Sequence, residues 1–343
     1  MTTSKLSLKG RITALSASLA VAALALTGCS PAENVLNIQL SWIKNSEFAG
    51  EFYAVENGYY KDAGFTSVNL VAGPAATEAE VLSGNALVGI ANPISTAPII
   101  LGEDKAPLKI IGTTYQKNPF TILSLKDGGN IATIQDLIGK RIGVQAGPNE
   151  TLFDALLRAN GIDASKVTKV PVQYDPAPLV NGEVDGFLAY ITNESFVVAD
   201  QGYEVTNLLF AENGLPFVTE SFVVTQDSID NNRAALKAFL KATILGWKDA
   251  IANPNGGADL AIKIYGKDLK LNAAKEYYQS KTQNEMLIQT EETAANGLFT
   301  ISEAMITQNL ATLKAAGYTI TADQLFDMSL LKEVYEENPE LKG

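Results

Sequence analysis

The sequence predicts a two-lobed α/β fold: two mixed, mainly parallel sheets with flanking helices, joined by a two-strand hinge. Three observations predict it. Segments alternating with a period of two are interleaved with segments of helical spacing, the pattern of a largely parallel sheet. The alternation comes in two successive sets and then gives way to a mainly helical tail, as when one lobe is inserted into the other. The 343 residues, 46% of them apolar, are enough for two cores of ordinary size.

The first set opens on Leu36-Asn37-Ile38-Gln39-Leu40-Ser41-Trp42, whose alternation marks a strand. A helical stretch over 47–62 follows, then strands over 67–71, 87–91 and 108–113, with helical segments over 78–82 and 94–101 between them. The second set places strands over 120–125, 141–145, 167–173, 186–190 and 205–210. Within it, Thr133-Ile134-Gln135-Asp136 has capping-box spacing. A helix over 150–160 carries Leu152, Ala155, Leu156 and Ala159 on one face and stops at Gly161, which suits a C-terminal cap.

After a last strand at 222–225, Leu236, Phe239, Leu240, Ile244 and Trp247 recur at helical spacing, which places Trp247 in a core. Chain crossings are expected near 117–121 and 221–225. The first lobe then comprises 36–118 and 225–343, and the second 119–224. Two lobes joined by paired strands can close on a ligand by hinge motion.

Composition narrows the chemistry. The chain has no histidine and one cysteine, which excludes Ser-His-Asp and Cys-His nucleophiles, histidine metal sites, Cys-x-x-Cys centres and an intrachain disulfide. With 26 Lys and Arg against 38 Asp and Glu the formal charge is −12, and no basic stripe is present, so nucleic acid is not an expected partner.

Residues 1–28 carry Lys5, Lys9 and Arg11 with no acid, followed by an apolar run of 17 residues, and read as an export signal. Their removal takes away three positive charges and no negative one, so −12 becomes −15. Leu26-Thr27-Gly28-Cys29 resembles the lipobox of bacterial lipoproteins. That resemblance implies lipidation at Cys29, a short tether over 29–35 and a domain anchored to the membrane outside the cytoplasm.

The segment Trp42-Ile43-Lys44-Asn45-Ser46-Glu47-Phe48-Ala49-Gly50, with Tyr53-Ala54 and Gly58-Tyr59-Tyr60-Lys61-Asp62-Ala63-Gly64 after it, resembles periplasmic binding proteins for thiamine pyrimidine precursors. That family also covers riboflavin, nitrate and sulfonate binders and a eukaryotic pyrimidine-precursor synthase. Further matches are Gly143-Val144-Gln145-Ala146-Gly147-Pro148-Asn149-Glu150, Gly182-Glu183-Val184-Asp185-Gly186 and Tyr190-Ile191-Thr192-Asn193-Glu194. The resemblance implies the type II periplasmic-binding-protein fold. The synthase branch has a histidine where this chain has Phe48, so binding is implied and synthesis is not.

Candidate ligand residues follow from strand ends, where open parallel sheets place ligands. Trp42 ends the first strand and offers an indole for stacking, although a core role suits it too. Asn45 either bonds a ligand or caps the next helix. Phe48 is expected to line the pocket with its ring, and Lys44 to be solvated. Asn149 and Glu150 lie where a strand feeds a helix, with Glu150 suited equally to the ligand or to the helix N-terminus. Tyr190, Asn193 and Glu194 can stack on and hydrogen-bond an aminopyrimidine edge, although Asn193 as a cap with Glu194 in the first turn explains two of the three. Tyr115, Asn118 and Glu220 lie near the crossings. Arg141 and Arg158 are better explained as a strand start and a helix surface.

The expected function is therefore ligand capture by a monomeric lipoprotein that serves an ABC permease and ATPase, with no cofactor and no catalysis. The expected ligand is a small aromatic heterocycle such as a thiamine pyrimidine precursor. A flavin or a sulfonate or nitrate ligand is the alternative, and a pyridoxal-dependent pyrimidine synthase is the rival of another class.

Overall fold

The computed structural model describes residues 34–342; the expected signal segment 1–28 and Cys29 lie outside the described residues. Strands occur at Val35–Gln39 (β1), Ser67–Val71 (β2), Val88–Ala91 (β3), Leu108–Tyr115 (β4), Phe120–Leu125 (β5), Arg141–Gln145 (β6), Thr168–Val172 (β7), Gly186–Tyr190 (β8), Val205–Leu209 (β9) and Thr219–Thr225 (β10). Regular pairing thus begins at Val35, one residue inside the expected tether.

Among the described residues these strands form two five-stranded sheets, ordered β2-β1-β3-β10-β4 and β7-β6-β8-β5-β9. In the first, β1 runs parallel to β2 and β3, and β10 runs antiparallel to β3 and β4. In the second, β6 runs parallel to β7 and β8, and β5 runs antiparallel to β8 and β9. Each sheet is therefore mixed, with a single strand reversed. That strand is the one the chain enters on crossing between lobes, and its reversal turns the crossings toward one another.

The second crossing differs from expectation. Thr219–Thr225 is hydrogen-bonded throughout into the first sheet, so 219–224 belong with lobe 1 and the chain crosses over 213–218. Periodicity locates a strand but does not name its partners. The first crossing spans 116–119, and the two are tied together where Asn118 Nδ2 donates to the Leu215 carbonyl at 2.9 Å.

Local chemistry shapes the elements that border the cleft. The helical stretch expected over 47–62 is a 3-10 turn at Ser46–Phe48 and helices at Ala49–Glu56 and Tyr59–Asp62, broken where Gly58 takes φ 77°. Asn92 caps Pro93–Ile100 by accepting from the Ile94 and Ser95 amides, with proline in the first turn where its missing N–H costs nothing. Pro148–Ala159 ends as expected, with Gly161 at φ 65°.

The first lobe's core holds Trp247, Phe52, Phe222, Phe239 and Phe299, and confirms the interior position of Trp247. A second core joins the lobes: Ile94 and Ala97 of Pro93–Ile100 share it with Leu152, Phe153 and Leu156 of Pro148–Ala159. The tail does not stay with lobe 1 alone. Leu313 and Ala316 lie in that joint core, and Arg158 Nε donates to the Ala316 carbonyl at 2.8 Å. Arg158 thus lies on the exposed helix surface, as expected, and from there bridges to the tail.

Candidate ligand-binding site

The C-terminal ends of the parallel strands in both sheets face one cavity, about 660 Å³ when the solvent open at its mouth is included. Lobe 1 contributes Ser41 and Trp42 after β1, Thr77 and Glu78 after β2, Asn92 and Ser95 after β3, and Glu220 from β10. Lobe 2 contributes Gln145 and Asn149 around the end of β6, Tyr190, Asn193 and Glu194 after β8, and Phe120 at the start of the reversed β5. This is where side chains beyond an open sheet's edge converge.

Trp42 is half-buried on the rim, edge-on to Tyr174 with centroids 6.3 Å apart. Its loop is braced by Gly73, whose amide donates to the Trp42 carbonyl at 2.8 Å; a Cβ on Gly73 would stand 2.5 Å from the Ser41 carbonyl oxygen. Phe120 and Tyr190 form an edge-to-face pair at 4.6 Å, so two aromatic groups also border the cavity from lobe 2.

The polar lining is acidic. Glu220 Oε2 accepts from Ser41 Oγ at 2.6 Å and its Oε1 accepts from the Tyr190 hydroxyl at 2.9 Å, which links the lobes across the cavity. Glu220 holds φ 51°, an uncommon value for a non-glycine residue, beside a register shift between Ser221 and Val223. Such local strain is found at functional positions. Glu47 lies next to it, with Ser41 Oγ 3.4 Å from its Oε1. Glu194 folds back on the strand end, accepting from the Tyr190 amide and from Asn193 Nδ2, both at 2.9 Å.

Burial is the first cause that raises all three carboxyls above the usual range. The neighbouring Glu220 charge raises Glu47 further, whereas backbone amides oppose the rise at Glu194 and the Ser41 and Tyr190 hydroxyls oppose it at Glu220. Glu78 accepts from Ser95 Oγ at 2.7 Å and Thr96 Oγ1 at 2.9 Å. Neither Lys nor Arg is among the residues lining the cavity.

Of the expected ligand residues, Trp42, Asn149, Tyr190, Asn193, Glu194 and Glu220 line the cavity. Four do not. Asn45 caps the Ser46–Phe48 turn, its Oδ1 accepting from the Glu47 amide at 3.0 Å. Phe48 turns into the lobe 1 core, because the turn that presents Glu47 to the cavity directs its neighbour inward. Tyr115 is buried in the same core, its hydroxyl donating to Gln283 Oε1 at 2.7 Å. Glu150 is exposed on the first turn of Pro148–Ala159, and its amide is already bonded to the Gly147 carbonyl.

Ser41, Glu47, Thr77, Glu78, Asn92, Ser95 and Gln145 line the cavity without having been singled out. The strand-end rule that selected Trp42, applied after every parallel strand, reaches Asn92, Gln145 and Thr77. Glu47 has no such signal, since it lies on a buried turn beyond the strand end.

The chain is similar along 89% of its length to the riboflavin-binding protein RibY of Chloroflexus aurantiacus, with 27% identity over 321 residues and 89% of that protein covered. It is 23% identical over 250 residues to the formylaminopyrimidine-binding protein of Halalkalibacterium halodurans, covering 69% of this chain and 75% of that one. Among solved structures, the periplasmic nitrate-binding protein NrtA of Synechocystis superposes with a TM-score of 0.67 at 14% identity, over 90% of this chain and 91% of its own. That last likeness shows the two-lobed periplasmic-binding-protein fold. Residues 45–256 match the family described as NMT1/THI5 like, and the chain belongs to that family.

Proposed function

We propose that this protein captures a flat nitrogen heterocycle bearing amino or ring N–H donors and delivers it to an ABC importer. The observation that carries the reading is the composition of the cavity. Trp42, Phe120 and Tyr190 supply aromatic faces, and Glu194 and Glu220 supply acceptors for donor groups on a ligand edge. Sulfonate and nitrate call for converging cationic donors, and the lining supplies carboxyls instead. The absence of histidine from the sequence supports binding over catalysis of the synthase type.

Donor chemistry favours an aminopyrimidine, whose exocyclic amine matches a carboxylate. A flavin is the second reading, favoured by 27% identity to a riboflavin-binding protein along 89% of both chains. Thermal unfolding with pyrimidines, flavins, alkanesulfonates and nitrate separates these. A ligand at 100 times its Kd stabilises by about 2.7 kcal/mol. A shift with an aminopyrimidine or flavin is expected, and a shift with sulfonate or nitrate alone overturns the reading.

The Leu26-Thr27-Gly28-Cys29 sequence supports attachment to the outer face of the cell membrane through Cys29, beside the permease and ATPase that receive the ligand. Cys29→Ser is expected to abolish lipid labelling and release the protein; unchanged labelling excludes that anchor.

A further inference from the structure

We propose that Glu47 and Glu220 hold a single proton between them at neutral pH, carried on Glu47, and that this acid–carboxylate pair selects the ligand by its adjacent donor and acceptor. The inference rests on the binding reading above and names the chemistry of one part of that site.

The geometry separates two residues of the same type. Both side chains are almost fully buried, Glu47 at 2% and Glu220 at 3% exposure, and both reach the same Ser41 hydroxyl, at 3.4 and 2.6 Å. Two ionised carboxylates buried around one hydroxyl repel, and Ser41 has a single proton to give, so uptake of one further proton relieves the pair. Its place follows from the other donors. Glu220 receives the short bond from Ser41 and another from Tyr190, both of which favour its charged form. Glu47 has only the far side of the Ser41 hydroxyl, at 3.4 Å. The proton therefore resides on Glu47, and Glu220 is the carboxylate, accepting from the Ser41 and Tyr190 hydroxyls.

The surrounding charges agree. Glu194 approaches from lobe 2, adding negative potential; Tyr115 and Tyr190 are phenols whose own ionisation burial opposes. Lys275, on the helix Ala273–Gln283, is the cation acting on Glu47 and Glu194, and it is already ion-paired with buried Glu276. One cation thus faces several acids, and uptake of a proton relieves the excess.

The pair offers a ligand a donor on Glu47 beside an acceptor on Glu220. An aminopyrimidine edge has the complementary set, a ring nitrogen that accepts beside an exocyclic amine that donates. When the pair loses its proton, the donor to the ring nitrogen disappears and a second negative charge enters the cavity. Affinity is therefore expected to fall as pH rises through the pair's titration.

The test has a ligand-free arm and a ligand arm. In the unliganded protein at neutral pH, infrared difference spectra against Glu47→Gln and Glu220→Gln are expected to show a protonated carboxyl that both substitutions remove or shift. A spectrum that neither substitution changes overturns the shared proton. In the second arm, binding of formylaminopyrimidine and of riboflavin is measured by calorimetry over about pH 5 to 8. Binding that weakens at least several-fold toward high pH, and loses that dependence in Glu47→Gln, supports the selection role; pH-independent binding overturns it. If neither compound binds at any pH while the infrared signal persists, the heterocycle reading and the selection role fail, and the shared proton stands.

Discussion

Two regions of the first lobe each combine a tryptophan with a buried glutamate, and they differ in what fills the space beside them. In the interior, Trp247 Nε1 donates to Glu51 Oε1 at 3.2 Å, and the indole lies against Gly50 so closely that a Cβ there would stand 2.2 Å from the ring. The second Glu51 oxygen is buried with no partner. At the cavity, Trp42 stands on the rim and Glu47 beside Glu220, and the partners come from both lobes. The chain packs against the first tryptophan itself and leaves open volume beside the second. Residue type is thus shared between a packing site and a binding site; the distinction is whether the protein's own atoms complete the contacts.

The largest test of that contrast is Trp247→Ala. Loss of a large ring from a filled core is expected to cost about 3–5 kcal/mol in denaturant unfolding, and a loss under about 1 kcal/mol would mean the interior is not packed as described.

The glutamates sharpen the comparison through pH. Burial raises Glu51 from 4.5 to about 7, with the Trp247 bond opposing the rise. Between those values the folded chain keeps a proton that the unfolded chain has lost. Stability from this group is therefore full below pH 4.5, falls as pH rises toward about 7, and levels off above it. The loss amounts to about 3 kcal/mol. Unfolding measured across that window should show a shallower decline in Glu51→Gln, and equal slopes would remove Glu51 as its source.

Tyr190→Phe probes the cavity side by deleting the cross-lobe donor to Glu220. A hydrogen bond to a charged group is worth about 1.5–3 kcal/mol, so melting of the unliganded protein should report a loss in that range. An unchanged melt would show that the bond is not made in solution. The smallest effect is expected for Trp42→Ala, about 0.5–1.5 kcal/mol in ligand affinity with little change in unliganded stability. Calorimetry beside Trp247→Ala decides it, since equal affinity losses in two folded variants would place the aromatic platform elsewhere.

The legible part of the fold was the part written in local spacing. The alternation around Leu36 and Ile38 marked β1, and Gly161 marked the end of Pro148–Ala159. At the site, Trp42, Tyr190, Asn193 and Glu194 were reached because each follows a strand end. Phe48 was misplaced for the converse reason: sequence adjacency to a binding segment does not state which side of a tight turn faces the cavity, and here Glu47 does.

The sequence by itself determined the two-lobed α/β class, the order of the elements, the absence of histidine chemistry and the cleft at the strand ends. Each of these follows from periodicity, capping residues or composition, which are local or global properties of the chain. Tertiary structure decided that Thr219–Thr225 joins the first sheet, and so that Glu220 meets Ser41 across 179 residues of sequence and Tyr190 across the cleft. Such meetings depend on which strand edges pair. Spacing along the chain cannot encode that pairing, because every strand of the right pattern presents the same backbone donors and acceptors to any neighbour.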